Sequence, residues 1–321
     1  MANLFTVTPH TAIDQIITLE QLHAGNLTAN TIQHYAAGKG VNVAKTVTAM
    51  KTPVTTLGFI GQQSRASFQP LNSTLLTADF SNVPGLTRYN ITLQTAAIDQ
   101  ETHIRTPGFA VTETDSLALI HKINRHTQPG DIIILSGSLP RGASTHFYAD
   151  IITHCRHKSA RVFLDTSGPN MATSVQALPF LIKPNVAEME ALIGHRLTTN
   201  KAILNAAQCF IRQGVEVVIV SLGKNGIIAV TQTEALLAYC NKLPSQKLIT
   251  TVGCGDALVG GLALAYQQNK SFAEALKLGI ACATANLFSQ EPGMVAPPLV
   301  DEIKSTVKLD SLKNLWFYGC R

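Results

Sequence analysis

The 321-residue sequence is poor in charge, in tryptophan and in long apolar runs, and each shortage excludes a class of protein. Only 14% of the residues are charged against 45% hydrophobic, with a single Trp, which fits a chain that buries a large core and not a disordered one. The net charge of +5 is not gathered into any Lys/Arg cluster. A nucleic-acid partner is therefore not expected, whereas small anionic ligands suit a mild positive balance. No uncharged apolar run reaches ~18 residues, so no membrane span is expected. The N-terminus, MANLFTVTPHTAID, lacks the basic segment and apolar core of a signal peptide. The six cysteines (Cys155, Cys209, Cys240, Cys254, Cys282 and Cys320) show neither a CxxC pair nor a zinc-like spacing with histidine. They read as free thiols, and the chain as cytoplasmic. Internal repeats and low-complexity linkers are missing too.

What is present is an alternation of short apolar runs with helical patterns. Strands are expected at Leu4–Thr8, Ile16–Leu19, Val54–Ile60, Asp131–Ser136, Arg161–Asp165, Phe180–Pro184, Val215–Val220 and Ile227–Thr231. Helices are expected between most of them, and at Phe272–Phe288. Residues 22–35 are polar hairpin material, and Thr87–Leu93 with Thr102–Arg105 reads as an antiparallel ribbon turning at Asp99-Gln100. The chain should end in a helix and an irregular tail over 299–321. Five strands run into Gly/Ser/Asn-rich loops, at 136–138, 165–168, 183–185, 221–226 and 253–256. Ligands of open parallel sheets sit beyond the carboxyl ends of the strands, so five such loops on one edge point to a nucleotide or sugar cleft.

Two stretches carry chemistry. Gly38-Lys39-Gly40 precedes a helix running to about Met50, with Asn42 one turn in. It is not a P-loop, because no glycine stands five residues before Gly38 and Gly40 takes the place of the required Ser or Thr. It still gathers an ammonium, flexible backbone and an amide at a helix start, where anions bind. The second stretch is Leu248–Ala257, in which a β-branched run reads as a buried strand end before Gly253-Cys254-Gly255-Asp256 opens an apolar helix. Unpaired N–H groups at such a turn favour an anion, and Asp256 beside them is placed to take a proton from an attacking hydroxyl. Alone, the same residues serve equally as a tight turn and a helix cap.

Taken in order, five motifs resemble those of the ribokinase-like (PfkB) carbohydrate kinases over nearly the whole chain. They are Ala37–Ala44, Leu135–Pro140, Lys183–Glu188, Val220–Gly226 and Thr251–Asp256. The resemblance implies a three-layer α/β/α fold with a mostly parallel central sheet. It implies one domain over 1–321, with a small β-sheet lid from about 14–36 and 88–106. It also implies ATP-dependent phosphorylation of a ketohexose monophosphate, with fructose 1-phosphate to fructose 1,6-bisphosphate the expected reaction. Tagatose 6-phosphate, fructose 6-phosphate and a non-catalytic sugar-phosphate sensor stand as alternatives. By the same resemblance Asp256 is the base, and Gly253, Cys254 and Gly255 complete the anion hole. Asp14, Gly38 and Asn42 hold sugar hydroxyls, while Lys39, Arg88, Asn90 and Ser138 hold the substrate's own phosphate. Ser221, Leu222, Gly223, Lys224, Asn225 and Gly226 form the nucleotide loop, together with Lys183, Asn185 and Glu188. Glu188 meets Mg2+ through water, and a homodimer through the lid is an option the family leaves open. The chain departs from the family pattern at Thr8–Asp14 and Gln62–Arg65. Further departures are Thr92 in place of a common lysine, Arg105 in place of a common asparagine, and Cys254 in place of alanine.

Overall fold

The computed structural model describes residues 2–95, 98–246 and 248–315. Its strands are β1 (Leu4–Thr8), β2 (Ala12–Leu19), β3 (Ala29–Ala37), β4 (Val54–Gly61), β5 (Leu76–Val83), β6 (Arg88–Thr95) and β7 (Ile98–Arg105). They continue as β8 (Ile132–Ser136), β9 (Arg161–Asp165), β10 (Leu181–Ile182), β11 (Val217–Ser221), β12 (Ile227–Val230), β13 (Ala235–Cys240) and β14 (Val307–Ser311). The helices are α1 (Lys39–Ala49), α2 (Glu113–His126), α3 (Phe147–His157), α4 (Pro169–Val175), α5 (Val186–Ile193), α6 (Asn200–Gln213), α7 (Cys254–Gln267), α8 (Phe272–Asn286) and α9 (Pro297–Thr306).

Ten strands form one sheet in the order β14-β13-β12-β11-β10-β9-β8-β1-β4-β5. It is parallel from β5 to β11 and antiparallel beyond. The central strands are buried on both faces, as parallel strands covered by helices must be. Their alternation divides the core in two. Phe5, Val7, Ile133 and Leu135 pack with residues of α2, α3, α5 and α6. Leu4, Ile132 and Ile134 pack on the other face with α1, α7 and α8. The result is the three-layer α/β/α arrangement, with the sequence's continuous apolar runs at its centre.

A second sheet, ordered β3-β2-β6-β7, stands apart from the first. β2 pairs antiparallel with β3 and parallel with β6, and β6 pairs antiparallel with β7. Here the sequence reading needs correction. The second strand is eight residues long and not four, and the supposed hairpin material from 29 onward is the nine-residue strand β3. Asp99-Gln100 lies inside β7 and is not the turn; Ala96-Ala97, between the strands, is outside the described residues. These strands meet a core only near Ile13 and Ala36, and the polar, part-exposed residues beyond carry no alternation strong enough to read.

Three further expectations fail elsewhere. Leu248–Thr251 is not a strand, and Leu248 and Ile249 are about half exposed. β13 and β14 were not anticipated, and β14 replaces part of the expected irregular tail. Both lie on the antiparallel edge, where β14 alternates buried and exposed residues over only five positions. The short helix α4 was also missed; it begins at Pro169 after Gly168, a start signal lost in a Gly/Ser/Pro loop.

Candidate active site

The strand-end loops do converge. Gly253 turns the chain into α7 with φ +85°, and a Cβ there would lie 2.8 Å from the Gly293 nitrogen. Only glycine meets both demands. The N–H groups that open α7 have no carbonyl one turn back to bond. The Val252 carbonyl is instead taken by Asn286 Nδ2 at 2.8 Å, and the first bond seen is Ala257 N–H to the Gly253 carbonyl at 2.8 Å. Gly255 is exposed, so the turn that carries these donors is open to solvent. Cys254 Sγ receives Asn286 Nδ2 at 3.4 Å, and burial raises its thiol pKa, so it is a packing group here and leaves the backbone donors clear.

Asp256 is buried in the first turn of α7, and its Oδ2 accepts Asn42 Nδ2 at 2.8 Å. Burial pushes its pKa up to about 6; Lys39 opposes that rise and the Asp165 carboxylate adds to it. A carboxylate in that range is ionised near neutrality yet basic enough to accept a proton. Asn42 Oδ1 is buried without a partner, leaving an acceptor for a hydroxyl beside the base.

Lys39 and Lys183 meet on one carboxylate, Asp165, at 3.1 Å and 3.2 Å from the same Oδ1. Burial works against the Asp165 charge, but Lys183 and Lys39 together hold its pKa below the usual range. Burial also works against the Lys39 ammonium, and Asp165 and Asp256 outweigh it, raising its pKa. A Cβ built on Gly255 would lie 3.6 Å from Lys183 Nζ, so this ammonium stands beside the α7 turn. The sequence motifs do not single out Asp165 as a site residue. Its signal was a charged residue ending the apolar strand β9, in one of the loops already marked.

The sugar-side candidates line the second sheet and the loop into it. Asp14 Oδ1 accepts Asn90 Nδ2 at 2.8 Å, and burial raises the Asp14 pKa against the pull of Asn90, Lys45 and the arginines. Arg88 donates to the carbonyls of His10 (3.2 Å) and Thr11 (3.3 Å). Ser138 Oγ is 3.4 Å from His10 Nδ1. Burial and the nearby Arg88 lower the His10 pKa to about 4. Gly38, with φ +126°, would drive a Cβ to 2.7 Å from Thr8 Cγ2. Of the phosphate candidates, Lys39 is thus turned to Asp165, Arg88 and Asn90 lie on β6 of the second sheet, and Ser138 lies in the loop after β8 of the larger one.

A cleft of about 600 Å³ opens between α5, α6 and the β11–β12 turn, lined among others by Asn185, Ile203, Ser221, Leu222, Gly223 and Asn225. Asn185 and Glu188 cap α5 reciprocally, at 2.8 and 2.9 Å. That capping box fixes the loop that presents Lys183, and Ser221 N–H to the Pro184 carbonyl (3.0 Å) ties it to the nucleotide-loop candidates. Lys224 is exposed at the turn; Gly226 closes it with φ +88° and packs under Tyr239.

Two supports went unnoticed. Asn286 Oδ1 accepts Gly293 N–H at 2.7 Å, so one buried amide braces both the α7 turn and the 289–293 loop. Lys45, buried in α1, joins Glu291 (2.7 Å) to the Ala36 carbonyl (2.7 Å) at the end of β3.

A three-layer α/β/α fold with a buried carboxylate at a glycine-turn helix start and a cleft at the β11–β12 turn suits phosphoryl transfer. Comparison with known proteins agrees. The model of the pfkB family of carbohydrate kinases matches residues 4–297, and the chain belongs to that family. It is 31% identical to 1-phosphofructokinase of Bacillus subtilis over 94% of this chain and 99% of that protein. It is 32% identical to 1-phosphofructokinase of Escherichia coli (strain K12), over 95% and 97%. Among solved structures, Escherichia coli phosphofructokinase-2 in complex with substrates and products superposes with a TM-score of 0.88 at 24% identity, covering 95% and 99% of the two chains.

Proposed function

We propose that this protein is an ATP-dependent kinase that converts fructose 1-phosphate to fructose 1,6-bisphosphate. The whole chain acts as one unit, and the second sheet serves as a lid. The carrying observation is the buried Asp256, bonded by Asn42 and set against the free N–H groups that open α7. The C6 hydroxyl oxygen attacks the γ-phosphorus, Asp256 takes the hydroxyl proton, and the bond to ADP breaks. The developing charge on the phosphoryl oxygens falls on the Gly253–Asp256 donors and on Lys183. The nucleotide lies in the cleft bounded by Ser221–Asn225. The relatives named 1-phosphofructokinase support the choice of sugar.

Mg2+ fits this residue set. Among the described residues no three His, Cys, Asp or Glu side chains form a metal cage. Glu188 keeps one carboxylate oxygen beyond its cap, and Asp165 Oδ2 is buried without a partner. Such a sparse set suits an ion held mainly by phosphates and water, which when bound would neutralise charge on the transferring group. A homodimer through the lid is supported by the outer face of the second sheet, where Ile32 and Ile104 are about half exposed. No helix among the described residues is long and apolar enough to cross a membrane.

An ADP-release assay across fructose 1-phosphate, fructose 6-phosphate, tagatose 6-phosphate and free fructose tests the reading. It predicts the highest kcat/KM for fructose 1-phosphate; no ADP release with any sugar phosphate would overturn it.

A further inference from the structure

The pairing register of the second sheet sets four polar residues on one face. Asp14 on β2 is opposite Asn90 on β6, and Asn90 is opposite Arg105 on β7. Arg88 precedes Asn90 by two residues, so it shares that face and is the diagonal neighbour of Arg105. Diagonal neighbours in a sheet lie roughly 7–8 Å apart at the backbone, within reach of two guanidiniums closing on one anion.

The charges in this row do not balance. Asp14 is the carboxylate that feels both arginines, and its Oδ1 is already bonded by Asn90. Among the described residues Arg88 donates to the backbone carbonyls of His10 and Thr11, which carry no charge to offset its own. Arg105 is exposed and has no ion pair or hydrogen bond among the described residues. It lies near enough to Arg88 that, after burial, it is the main influence against that guanidinium's charge. Lys45, the other cation near Asp14, is paired with Glu291. One row further along, Thr92 meets His103 at 3.2 Å, so the arginine charge on this face is confined to residues 88 and 105. Two arginines held on neighbouring strands against their own repulsion, with one carboxylate on the next strand to share, make a site for an anion of more than one charge.

We infer that Arg105, together with Arg88, holds the phosphate already carried by the sugar, and that this pair sets the preference for a sugar monophosphate over a free sugar. The inference rests on the kinase reading and adds to it a residue that the pattern of phosphate-binding candidates left out. Guanidiniums suit the role because their fork matches phosphate oxygens bidentately. Lys39, the other cationic candidate, is bound to Asp165 and close to Asp256, at the transferring end of the cleft.

The test is steady-state kinetics of the full chain and of Arg105→Gln, Arg105→Lys and Arg88→Gln, with fructose 1-phosphate, free fructose and ATP varied in turn. Arg105→Gln should raise the KM for fructose 1-phosphate by about ten- to a hundredfold, the size of a lost charge-assisted contact. The KM for ATP should stay within about twofold of its starting value, which also reports a folded enzyme. Arg105→Lys should recover part of the loss, and preference for the phosphorylated sugar should narrow in both Gln variants. An active wild type whose sugar-phosphate KM is unchanged in Arg105→Gln overturns this inference alone. A wild type that phosphorylates no sugar monophosphate overturns the kinase reading and this inference with it.

Discussion

At the scale of single residues, two carboxylates do different work because their surroundings differ. Asp165 sits between two ammonium groups and stays ionised, whereas Asp256 is buried with the Asn42 amide as its hydrogen-bond partner and rises to about 6. That rise corresponds to roughly 3 kcal/mol against the anion. A base must be deprotonated to act, so kcat should fall as pH drops through about 6 and level off above it. Asp256→Asn should lower kcat by orders of magnitude with sugar-phosphate binding largely kept; near-normal turnover would remove Asp256 from its role. Asp165 raises the Asp256 pKa through its charge. Asp165→Asn removes that charge and leaves Lys39 and Lys183 unneutralised, and both changes favour the Asp256 anion. The acid limb of kcat should therefore move to lower pH, measurable in a pH–rate profile, while total turnover falls from the misplaced lysines.

At the scale of elements, the start of α7 is held from outside the helix. Asn286 at the end of α8 bonds the Val252 carbonyl and the Gly293 N–H, and Gly293 in turn packs against α1, where a Cβ would lie 2.7 Å from the Asn42 Cα. The end of α8 and the distant α1 thus place the α7 turn and Asp256's amide partner together. Gly293→Ala should therefore lower kcat at least about tenfold by displacing Asn42 from Asp256, since a Cβ that close to backbone forces a shift. Rapid-quench measurement of the transfer step would check it. The capping box of α5 is a different kind of device: Asn185→Ala should cost ~1 kcal/mol in urea unfolding. It should also raise the KM for ATP, because the same loop carries Lys183 and abuts the nucleotide cleft.

At the scale of the whole molecule, the two sheets divide the labour. The ten-stranded sheet carries the cleft at Ser221–Asn225 and leads into Asp256, while the four-stranded sheet carries Asp14, Arg88, Asn90 and Arg105. Ile32 and Ile104, on the outer face of the smaller sheet, are open to a second copy. Ile32→Glu should shift the protein towards monomer in light scattering if the sheets pair, and a wild type that is monomeric at all concentrations would exclude that pairing. The sequence by itself determined the central strands of the large sheet, because strands buried on both faces, such as Ile132–Ser136, write unbroken apolar runs. It also marked the Gly253 turn, because a positive φ beside a helix start leaves few residue choices. It did not determine β3, β7 or the exposure of Leu248–Val252, since half-exposed polar strands and apolar loop residues obey no single period. Nor did it show that Asp165 joins Lys39 to Lys183, that Asn286 braces Val252, or that Arg105 lies beside Arg88. Those pairings span gaps of tens to more than a hundred residues. Only the tertiary structure decides them, because a side chain's charge is local while its partner depends on how strands order and helices cross.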